Sequence, residues 1–402
     1  MKKYLHILYL LSVMWGMGLT SIEKAIAQND TIPQRYRVSL VTCGPSDLAP
    51  FLLYGHSAIR VKDLSKGTDL VFNYGLFSFD QPSFLMNFAL GKPIYALGIE
   101  PMETFLTNYV YEGRSVSEQV LNLKYNESEA LLNFLLWNAQ PEQRNYIYNF
   151  YFDNCSTKAR DLIEKYCGGF SVKGLENFPT FRNAIRSYTA TDRWYTLLCD
   201  LPLGMQTDKQ MSLSDAAFLP LMLEKELDAA VRKDNNEPLV IEKILIAAET
   251  RPIGTRKDFP ISPSTVVIGI LLVYAVLVLL KSKAPYALQV YRSIMFLVIG
   301  VCGILLWFLG LISHHPHTFP NLNMLLFTPL YILLAITLWF SKCKRINNWL
   351  YFINFVGIFS CAIGVVSGLQ NLPEGITLLF GLILIDHAIF SGALDYIKSK
   401  RK

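Results

Sequence analysis

The chain has 402 residues, of which 52% are hydrophobic and only 17% are charged, so it is more apolar than an average soluble protein. Its formal net charge of +5 does not indicate nucleic-acid binding, because much of the basic excess lies in short loops and a tail between apolar segments. The sequence contains no glycine-rich nucleotide loop, paired-cysteine metal motif, repeat or low-complexity segment. We therefore predict a membrane protein with a soluble part, no cofactor, no metal and no nucleic-acid partner.

The N-terminus predicts export from the cytoplasm. Lys2-Lys3 precedes an apolar run of roughly 16 residues, and "AIAQ" supplies small residues for cleavage after Ala27. We therefore predict a signal peptide over residues 1–27. The residue after the predicted cleavage site is Gln28 and not cysteine, so the protein is not expected to be a lipoprotein itself.

The following region, about 28–262, contains no segment long enough to cross a bilayer, which predicts an exported globular part. We divide it into an exported domain, 28–211, and an amphipathic, juxtamembrane helical connector, 212–262. Within the connector, 213–231 and 239–248 are candidate amphipathic helices. They could lie on the membrane surface or pack against the domain.

A β-hairpin is predicted around His56, the single histidine of the exported region. In "LLYGHSAIRV" the side chains alternate as in a strand, and Gly55 lets another backbone or a substrate approach the ring. "LVFNYGLFSF" should return alongside as a second strand that carries Asn73. A lone strand histidine is more often structural, and an asparagine beside "YG" usually ends a strand or forms a turn. Next to a nucleophile, His56 would be a base, and Asn73 could hold its imidazole in the accepting tautomer.

The stretch "FYFDNCSTKARDLIEKYCGG", residues 150–169, predicts a helix with Cys155 in its first turn. Asn154 is a suitable N-cap, and Gly168-Gly169 supplies the end of the helix. Apolar residues recur between them with helical spacing, namely Ala159, Leu162, Ile163 and Tyr166. Free N–H groups and the helix dipole stabilise a thiolate at this position, so Cys155 is predicted to be nucleophilic.

Four cysteines of the exported region permit two disulfides, and in that case Cys155 would be structural. A bond between Cys155 and Cys167 is excluded, because twelve helical residues separate them by roughly 18 Å. Cys199 could pair with Cys43 or with Cys167. Such a pairing would leave an unpaired thiol among the four cysteines, and an unpaired thiol in an oxidising compartment needs a functional explanation.

After Pro263 the composition changes and five apolar segments predict membrane helices: 263–280, 293–312, 325–341, 349–368 and 375–394. Lys and Arg occur in the first and third connecting loops and in the tail, but the second loop, "SHHPHTFPNLN", and the fourth, "LQNLPEG", contain neither. The positive-inside rule therefore places residues 28–262 outside the cytoplasm and the C-terminus inside. We predict a transmembrane domain over 263–402 and a multi-pass protein of the bacterial inner membrane with a periplasmic domain.

The order of these motifs carries a family resemblance. "YGHSAIRV", then "VFNYGLFSFD", and later "DNCSTKARD" opening a helix resemble the permuted papain-like (NlpC/P60-related) cysteine enzymes, in which the histidine strand precedes the cysteine helix. Within that group the chain resembles the Bacteroidota lipoprotein N-acyltransferase (Lnb) family. The similarity extends to the C-terminal membrane helices and to the outward segment "HPHTFPNLN", residues 315–323, so it covers nearly the whole chain.

The resemblance implies an α+β, permuted papain-like exported domain followed by an α-helical transmembrane bundle of five helices. It implies that Cys155 accepts an acyl chain from a phospholipid as a thioester, with His56 as its base. The acceptor would be the α-amine of the lipidated N-terminal cysteine of a diacylated lipoprotein at the membrane bilayer. Asn73 as the third catalytic residue follows only from the hairpin. The alternatives are a cysteine peptidase or lipid esterase of the same fold, and a scaffold without catalysis.

Substrate contacts are expected beside the nucleophile, beside the base and on the second outer loop: Tyr54, Gly55, Asn154, Ser156, His315, Asn321 and Asn323. Aromatic residues of the exported domain could line an acyl groove or simply form the core: Phe105, Phe134, Trp137, Phe150, Tyr151 and Phe152. The histidines of the loop are a poor metal site because Pro316 interrupts them and no carboxylate is near. Asp386 and His387 are predicted to stabilise the membrane bundle.

Overall fold

The computed structural model describes residues 34–252 and 259–391. They form a sheet-rich N-terminal part and a helical C-terminal part, which confirms the mixed α and β class and its division along the chain. The predicted signal peptide, 1–27, lies outside the described residues, and so does the basic tail from residue 392 onward.

The described residues form nine strands: β1 (Tyr36–Cys43), β2 (His56–Asp63), β3 (Asp69–Leu76), β4 (Ile94–Pro101), β5 (Val116–Leu121), β6 (Asn145–Ile147), β7 (Phe170–Val172), β8 (Ala230–Arg232) and β9 (Val240–Ala247). β7 pairs with β8, and the other seven form an antiparallel sheet in the order β6-β4-β3-β2-β1-β5-β9. The predicted hairpin is confirmed, because β2 pairs with β3 from Ile59 opposite Phe72 to Lys62 opposite Asp69.

The described residues of the N-terminal part also form eight α-helices, several of which pack on this sheet: α1 (Phe84–Ala89), α2 (Met102–Tyr111), α3 (Tyr125–Asn138), α4 (Cys155–Tyr166), α5 (Phe181–Thr189), α6 (Arg193–Asp200), α7 (Leu213–Ala216) and α8 (Pro220–Asp228). Side chains alternate between the two faces of each strand. Leu40 of β1 therefore packs with α3, α4 and α8 on one face, whereas Val41 packs with Phe105 of α2 on the other. The two faces fix α2 and α4 on opposite sides of β2.

One end of the sheet brings several chain segments together. β1 ends and β2 begins there, with Cys43 opposite His56, and β3 ends there with Leu76 opposite Ala96. β9 ends at the same end of the sheet, where Ala247 pairs with the first residue of β5. The chain then leads to the C-terminal helices, so this end of the sheet is the one joined to them.

The predicted helical connector, 212–262, is only partly correct. Segment 239–248 contains strand β9 instead of a helix, because its β-branched residues favour extended backbone and pair with the open edge of β5. In 213–231, α8 packs against the domain, since Leu223 and Leu227 are completely buried in the core. Burying each leucine contributes about 1.5–3 kcal/mol, which accounts for packing on the sheet.

The C-terminal part contains α9 (Pro263–Leu279), α10 (Pro285–Leu311), α11 (Asn323–Leu326), α12 (Leu330–Thr337), α13 (Lys344–Val366) and α14 (Ile376–Phe390). Within the described part of the chain, two helical stretches, Pro285–Leu311 and Ser341–Val366, are long and apolar enough to cross a membrane, and the other apolar helices are shorter. The predicted helix 325–341 is interrupted before α12, which starts after Pro329, a residue without an N–H donor. The number of spans stays a prediction.

Helix α10 begins at Pro285, eight residues before the predicted start of that span. The predicted span is too short, because the charge of Arg292 indicates a loop residue in the sequence. Arg292 is buried instead, and its Nε lies 2.6 Å from Oδ2 of Asp386 on α14. The hydroxyl of Tyr274 on α9 donates to the same carboxylate at 3.0 Å. Asp386 therefore links three helices of the bundle, a contact of the stabilising kind predicted for it.

Candidate active site

The first residue of α4 is Cys155, as predicted. The side-chain oxygen of Asn154 accepts hydrogen bonds from the second and third N–H groups of the helix at 2.8 and 2.9 Å, which confirms Asn154 as the N-cap. The helix ends before Gly168 and Gly169, whose φ angles of +75° and +90° favour glycine. Cys155 is thus fixed where the helix dipole is positive and the first N–H groups have no partner within the helix.

The sulfur of Cys155 is a free thiol. All seven cysteines lie among the described residues and none forms a disulfide, so the pairings left open for Cys199 are not formed. Cys43 and Cys167 are completely buried, and burial raises the pKa of both thiols. Neither lies at a helix N-terminus, since Cys43 ends β1 and Cys167 is the C-cap of α4. Cys155 is therefore the candidate nucleophile.

His56 is the first residue of β2, and Asn73 lies on the neighbouring strand β3. The Nε2 atom of His56 lies 2.6 Å from Oδ1 of Asn73. The amide nitrogen of Asn73 donates to Oε1 of Glu100 at 3.2 Å, which orients the amide oxygen toward the imidazole. Because that oxygen only accepts, Nε2 carries a proton and Nδ1 is left for the thiol. The structure therefore places Asn73 where the sequence predicts it.

Imidazole and thiol meet across Gly75. A Cβ atom built on Gly75 would lie 3.7 Å from Cε1 of His56 and 3.8 Å from Cβ of Cys155. Its φ of +104° also disfavours any other residue. Gly75 was not singled out from the sequence, although its position in "NYG" was visible. A side chain here would fill the space between base and nucleophile.

The two groups shift each other's pKa. Burial alone would raise the pKa of the Cys155 thiol, but the charge of His56 and its hydrogen bond to the sulfur, aided by Ser57 and Ser156, lower it. Burial would likewise lower the pKa of His56, but the sulfur charge and hydrogen bonds to Cys155 and Asn73 raise it. Both shifts favour the thiolate and imidazolium pair. This arrangement suits nucleophilic attack followed by proton donation.

A second set of contacts holds the imidazole from its face. Tyr109 of α2 stacks on His56 with ring centroids 6.2 Å apart, and the guanidinium of Arg114 lies 4.6 Å from the centroid of Tyr109. Nε of Arg114 donates to the carbonyl of Gly44 at 2.7 Å. Tyr109 and Arg114 are not predictable from the sequence, because they lie within and just after α2 and belong to no recognisable motif.

Cys155 and His56 line a cavity of about 210 Å³. The predicted substrate residues Tyr54, Gly55 and Asn154 line it as well. Most of the remaining wall is aromatic and includes Phe51, Phe77, Tyr95, Tyr148, Phe150 and Phe218. A larger cavity of about 530 Å³ adjoins it, because both are lined by Leu52, Asn73, Leu76, Tyr109 and Arg114. The aromatic wall of the smaller cavity suits an apolar chain that reaches a polar reaction centre, whereas the larger cavity is also lined by Glu100, Glu112 and Arg114.

The other predicted substrate residues lie elsewhere. Ser156 is buried under the site, with its hydroxyl 3.0 Å from that of Ser57. His315 places Nε2 2.7 Å from the carbonyl oxygen of Phe88. The side-chain amides of Asn321 and Asn323 both donate to the carbonyl of Leu201, at 3.1 and 2.9 Å. The structure therefore uses the three loop residues to join the two parts of the chain and does not bring them to the cavity.

Comparison with known families gives two matches. The Lnb N-terminal periplasmic domain matches residues 23–188, which include Cys155, His56 and Asn73, and the Lnb transmembrane domain matches residues 255–397. No curated protein and no solved structure matches the chain. The two family matches cover most of the sequence and agree with the resemblance carried by its motifs. The N-terminal part is thus a periplasmic domain, the C-terminal part is a transmembrane domain, and the chain belongs to the Lnb family.

Proposed function

We propose that this chain is a lipoprotein N-acyltransferase of the bacterial inner membrane, with a permuted papain-like periplasmic domain and five membrane spans. Cys155 is the nucleophile, His56 moves the proton, and Asn73 orients the imidazole. The observation that carries the proposal is the free thiol of Cys155 beside a hydrogen-bonded imidazole in an aromatic cavity. Family membership adds acyl transfer to lipoproteins as the expected reaction class.

In the first half of the reaction, the Cys155 thiolate attacks the carbonyl carbon of a phospholipid ester. The tetrahedral intermediate collapses by breaking the bond to the glycerol oxygen, and His56 gives that oxygen its proton. A lysophospholipid leaves and the acyl chain remains on the sulfur as a thioester. N–H groups at the start of α4, including that of Cys155, stabilise the oxyanion.

In the second half, the acceptor is the free α-amine of the lipidated N-terminal cysteine of a diacylated lipoprotein. The amine attacks the thioester, its proton passes to His56, and the bond to sulfur breaks to regenerate the thiolate. The product is an amide. Exclusion of water from the cavity prevents hydrolysis of the thioester in the interval between the two substrates.

The predicted substrate residues then have two kinds of role. Tyr54, Gly55 and Asn154 line the cavity and contact the reacting part of the substrate. His315, Asn321 and Asn323 act on substrate binding at a distance, by holding the cavity at a set height above the bilayer. Both lipid substrates keep their tails in the membrane, so this height decides whether the ester and the amine reach the sulfur.

The test compares lipoprotein N-termini by mass spectrometry in cells that carry the wild-type chain, Cys155→Ser or His56→Ala and no other enzyme of this activity. We expect triacylated N-termini in the wild type, none in Cys155→Ser, and a decrease of roughly 100-fold or more in His56→Ala. A third acyl chain in Cys155→Ser cells would exclude the mechanism. If wild-type cells contain no triacylated N-termini, the result would instead favour the peptidase or esterase alternative.

A further inference from the structure

The short helix α1 exposes a group of apolar side chains that the described residues do not cover. Leu85 is 74% exposed, Met86 61% and Phe88 49%, and Phe79, shortly before the helix, is 65% exposed. Phe84 is the one buried residue of the helix. Adjoining exposed side chains of this size are uncommon on a soluble protein surface and mark a contact with a partner or a membrane.

Contacts with the transmembrane domain fix the position of α1. The N–H of His314 donates to the carbonyl of Leu90 at 2.9 Å, and Nε2 of His315 lies 2.7 Å from the carbonyl of Phe88. The rings of Phe88 and His315 also pack edge to face, with centroids 5.6 Å apart. Both histidines follow α10, a helix long and apolar enough to cross a membrane. Helix α1 therefore lies beside one end of that helix, at the level of a membrane surface.

The approach of the two segments is close. A Cβ atom built on Gly91 would come within 2.4 Å of the backbone nitrogen of His315, and the φ of Gly91 is +71°. Only glycine fits both conditions. The α1 segment is therefore docked directly on the loop that follows α10, without intervening side chains at that point.

An aromatic path connects α1 to the cavity. The ring of Phe84 packs against Phe77 at 5.6 Å and against Phe79 at 5.3 Å. Phe77 in turn packs against Tyr95 at 4.9 Å and Phe51 at 5.6 Å. Phe77, Tyr95 and Phe51 all line the cavity that contains Cys155. Apolar surface thus extends from the exposed side chains of α1 to the nucleophile.

From this continuity we infer that the α1 surface, defined as Phe79, Leu85, Met86 and Phe88, lies in the outer leaflet and is the entrance for a phospholipid acyl chain. Asp80 is the single charged residue between Phe79 and Gly91, and helix α1 itself carries none, which suits lipid tails better than a charged partner. The position beside α10 favours the bilayer over a second copy of the chain. The inference rests on the proposed function only for what happens to the lipid after it enters.

The test uses the full-length protein in phosphatidylethanolamine and phosphatidylglycerol vesicles. Photoreactive p-benzoylphenylalanine replaces Leu85 in one protein and Leu64 in another. Leu64 is a matched control, because it is 55% exposed but lies in the turn between β2 and β3, at the opposite end of the sheet. After illumination, mass spectrometry measures the fraction of protein joined to phospholipid. Acyl transfer by the wild-type protein is measured in the same vesicles after addition of a diacylated lipopeptide with a free α-amine as the acceptor.

We expect at least a 10-fold larger phospholipid adduct at position 85 than at position 64. Equal adducts, or a cross-link from position 85 to a second copy of the chain, would overturn the inference. Cross-linking requires no turnover, so the two proposals fail separately. A phospholipid adduct at position 85 without acyl transfer would support a lipid contact at the α1 surface but contradict the proposed function. Equal adducts at positions 85 and 64 together with acyl transfer would support the proposed function but contradict the lipid contact.

A pair of variants tests the entrance itself. Leu85→Ser combined with Met86→Ser makes the surface polar without touching the cavity, and we expect acyl transfer from vesicles to fall at least 10-fold. Alkylation of Cys155 by iodoacetamide should stay unchanged, which shows that the site is intact, and Leu64→Ser should change neither measurement. Unchanged acyl transfer in the double variant would contradict an entrance at α1.

Discussion

Three neighbouring groups affect the pKa of His56, and they do so in different directions. The thiol of Cys155 and the amide of Asn73 both raise the pKa of the imidazole, against its burial. The positive charge of Arg114, which lies beyond the ring of Tyr109, lowers it. The imidazole is therefore protonated because of its two hydrogen-bonding partners, which makes each partner testable by mutation.

Replacing His56 should make the nucleophile less acidic. In His56→Ala, burial still raises the pKa of Cys155, but the opposing charge and hydrogen bond are lost, so the pKa should move above its wild-type value. Less thiolate at pH 7 should slow alkylation of Cys155 by iodoacetamide about 10-fold or more. Peptide mapping by mass spectrometry measures this rate across pH. An unchanged pH midpoint would show that His56 does not contact the thiolate.

Asn73 should set the alkaline limit of the reaction. Acyl transfer requires a thiolate and an imidazolium, so the rate rises as Cys155 loses its proton and falls as pH passes the pKa of His56. Asn73→Ala removes a hydrogen bond that raises that pKa, so the alkaline limb should move to lower pH. Asn73→Asp keeps the acceptor oxygen and adds negative charge, so the limb should move to higher pH. Identical profiles for both variants would mean that Asn73 is only structural.

The residues of the site were predicted unequally well. His56 and Cys155 could be found because each belongs to a local pattern, a strand beside a glycine and a capped helix, and the chain offers few alternatives. Gly75 was not recognised, because its importance comes from two side chains that approach it from other elements. Tyr109 and Arg114 depend on the packing of α2 against the sheet, which no local pattern specifies.

At the scale of elements, the N-cap of α4 joins three segments. Besides capping the helix, the amide nitrogen of Asn154 donates to the carbonyls of Phe150 and Phe218, each at 2.8 Å. The side chain is almost completely buried. The Asn154 side chain therefore caps α4 and binds two further segments, the one at Phe150 that precedes the nucleophile and the one at Phe218 that precedes α8.

Removing this cap should cost more than removing an ordinary one. Asn154→Ala loses the capping bonds, worth about 1 kcal/mol, and leaves the buried carbonyl of Phe218 without this donor at about 1–3 kcal/mol. The half-buried carbonyl of Phe150 loses its donor as well. We expect a loss of at least about 2 kcal/mol in the free energy of unfolding, together with slower alkylation of Cys155. Thr180→Ala is the control, because the Thr180 side chain caps α5 through one bond to the N–H of Asn183. Equal losses in denaturant unfolding would contradict this account.

Elements were predicted best where one face of a periodic segment is buried. β2, β3 and α4 have such faces, and their observed bounds follow the patterns closely. Segment 239–248 was wrongly predicted as a helix, because its hydrophobic residues fit both periods and the deciding factor was the open edge of β5. The start of α10 was missed because the ion pair of Arg292 with Asp386 makes a charged residue tolerable inside the bundle.

At the scale of the whole molecule, buried polar groups join the periplasmic and transmembrane domains. Gly204 and Met205 donate their N–H groups to the carbonyls of His317 and Pro320, at 2.7 and 2.8 Å. Gln370 is 1% exposed and lies between the domains. Such bonds are directional, unlike apolar contacts, so they fix the orientation of the cavity relative to the bundle. This coupling depends on contacts across more than 100 residues of sequence and was not predictable from local pattern.

Gln370 provides the sharpest test of this coupling. Its Oε1 accepts from the N–H of Leu322 at 2.8 Å, and its Nε2 donates to the carbonyl of Leu203 at 3.2 Å and to Oδ1 of Asn321 at 3.0 Å. Gln370→Ala leaves the buried N–H of Leu322 without a partner, at about 1–3 kcal/mol. The carbonyl of Leu203 and Oδ1 of Asn321 each lose one of two donors, because Arg182 and the N–H of Asn323 still bind them. We expect a lower midpoint of thermal unfolding in detergent and acyl transfer reduced at least 3-fold, but normal alkylation of Cys155, because the cavity itself is not altered.

The neighbouring residue supplies the matched control. Asn371 is exposed, and its amide donates to the carboxylate of Asp208 at 2.7 Å. That carboxylate keeps its ion pair with Arg182 when the amide is removed, so Asn371→Ala should change stability by less than about 0.5 kcal/mol and leave acyl transfer intact. If Gln370→Ala behaves like Asn371→Ala, the domains do not need a fixed orientation. If Gln370→Ala also abolishes alkylation of Cys155, the substitution disrupts the periplasmic domain itself. The loss of acyl transfer would then not be evidence for a fixed orientation of the two domains.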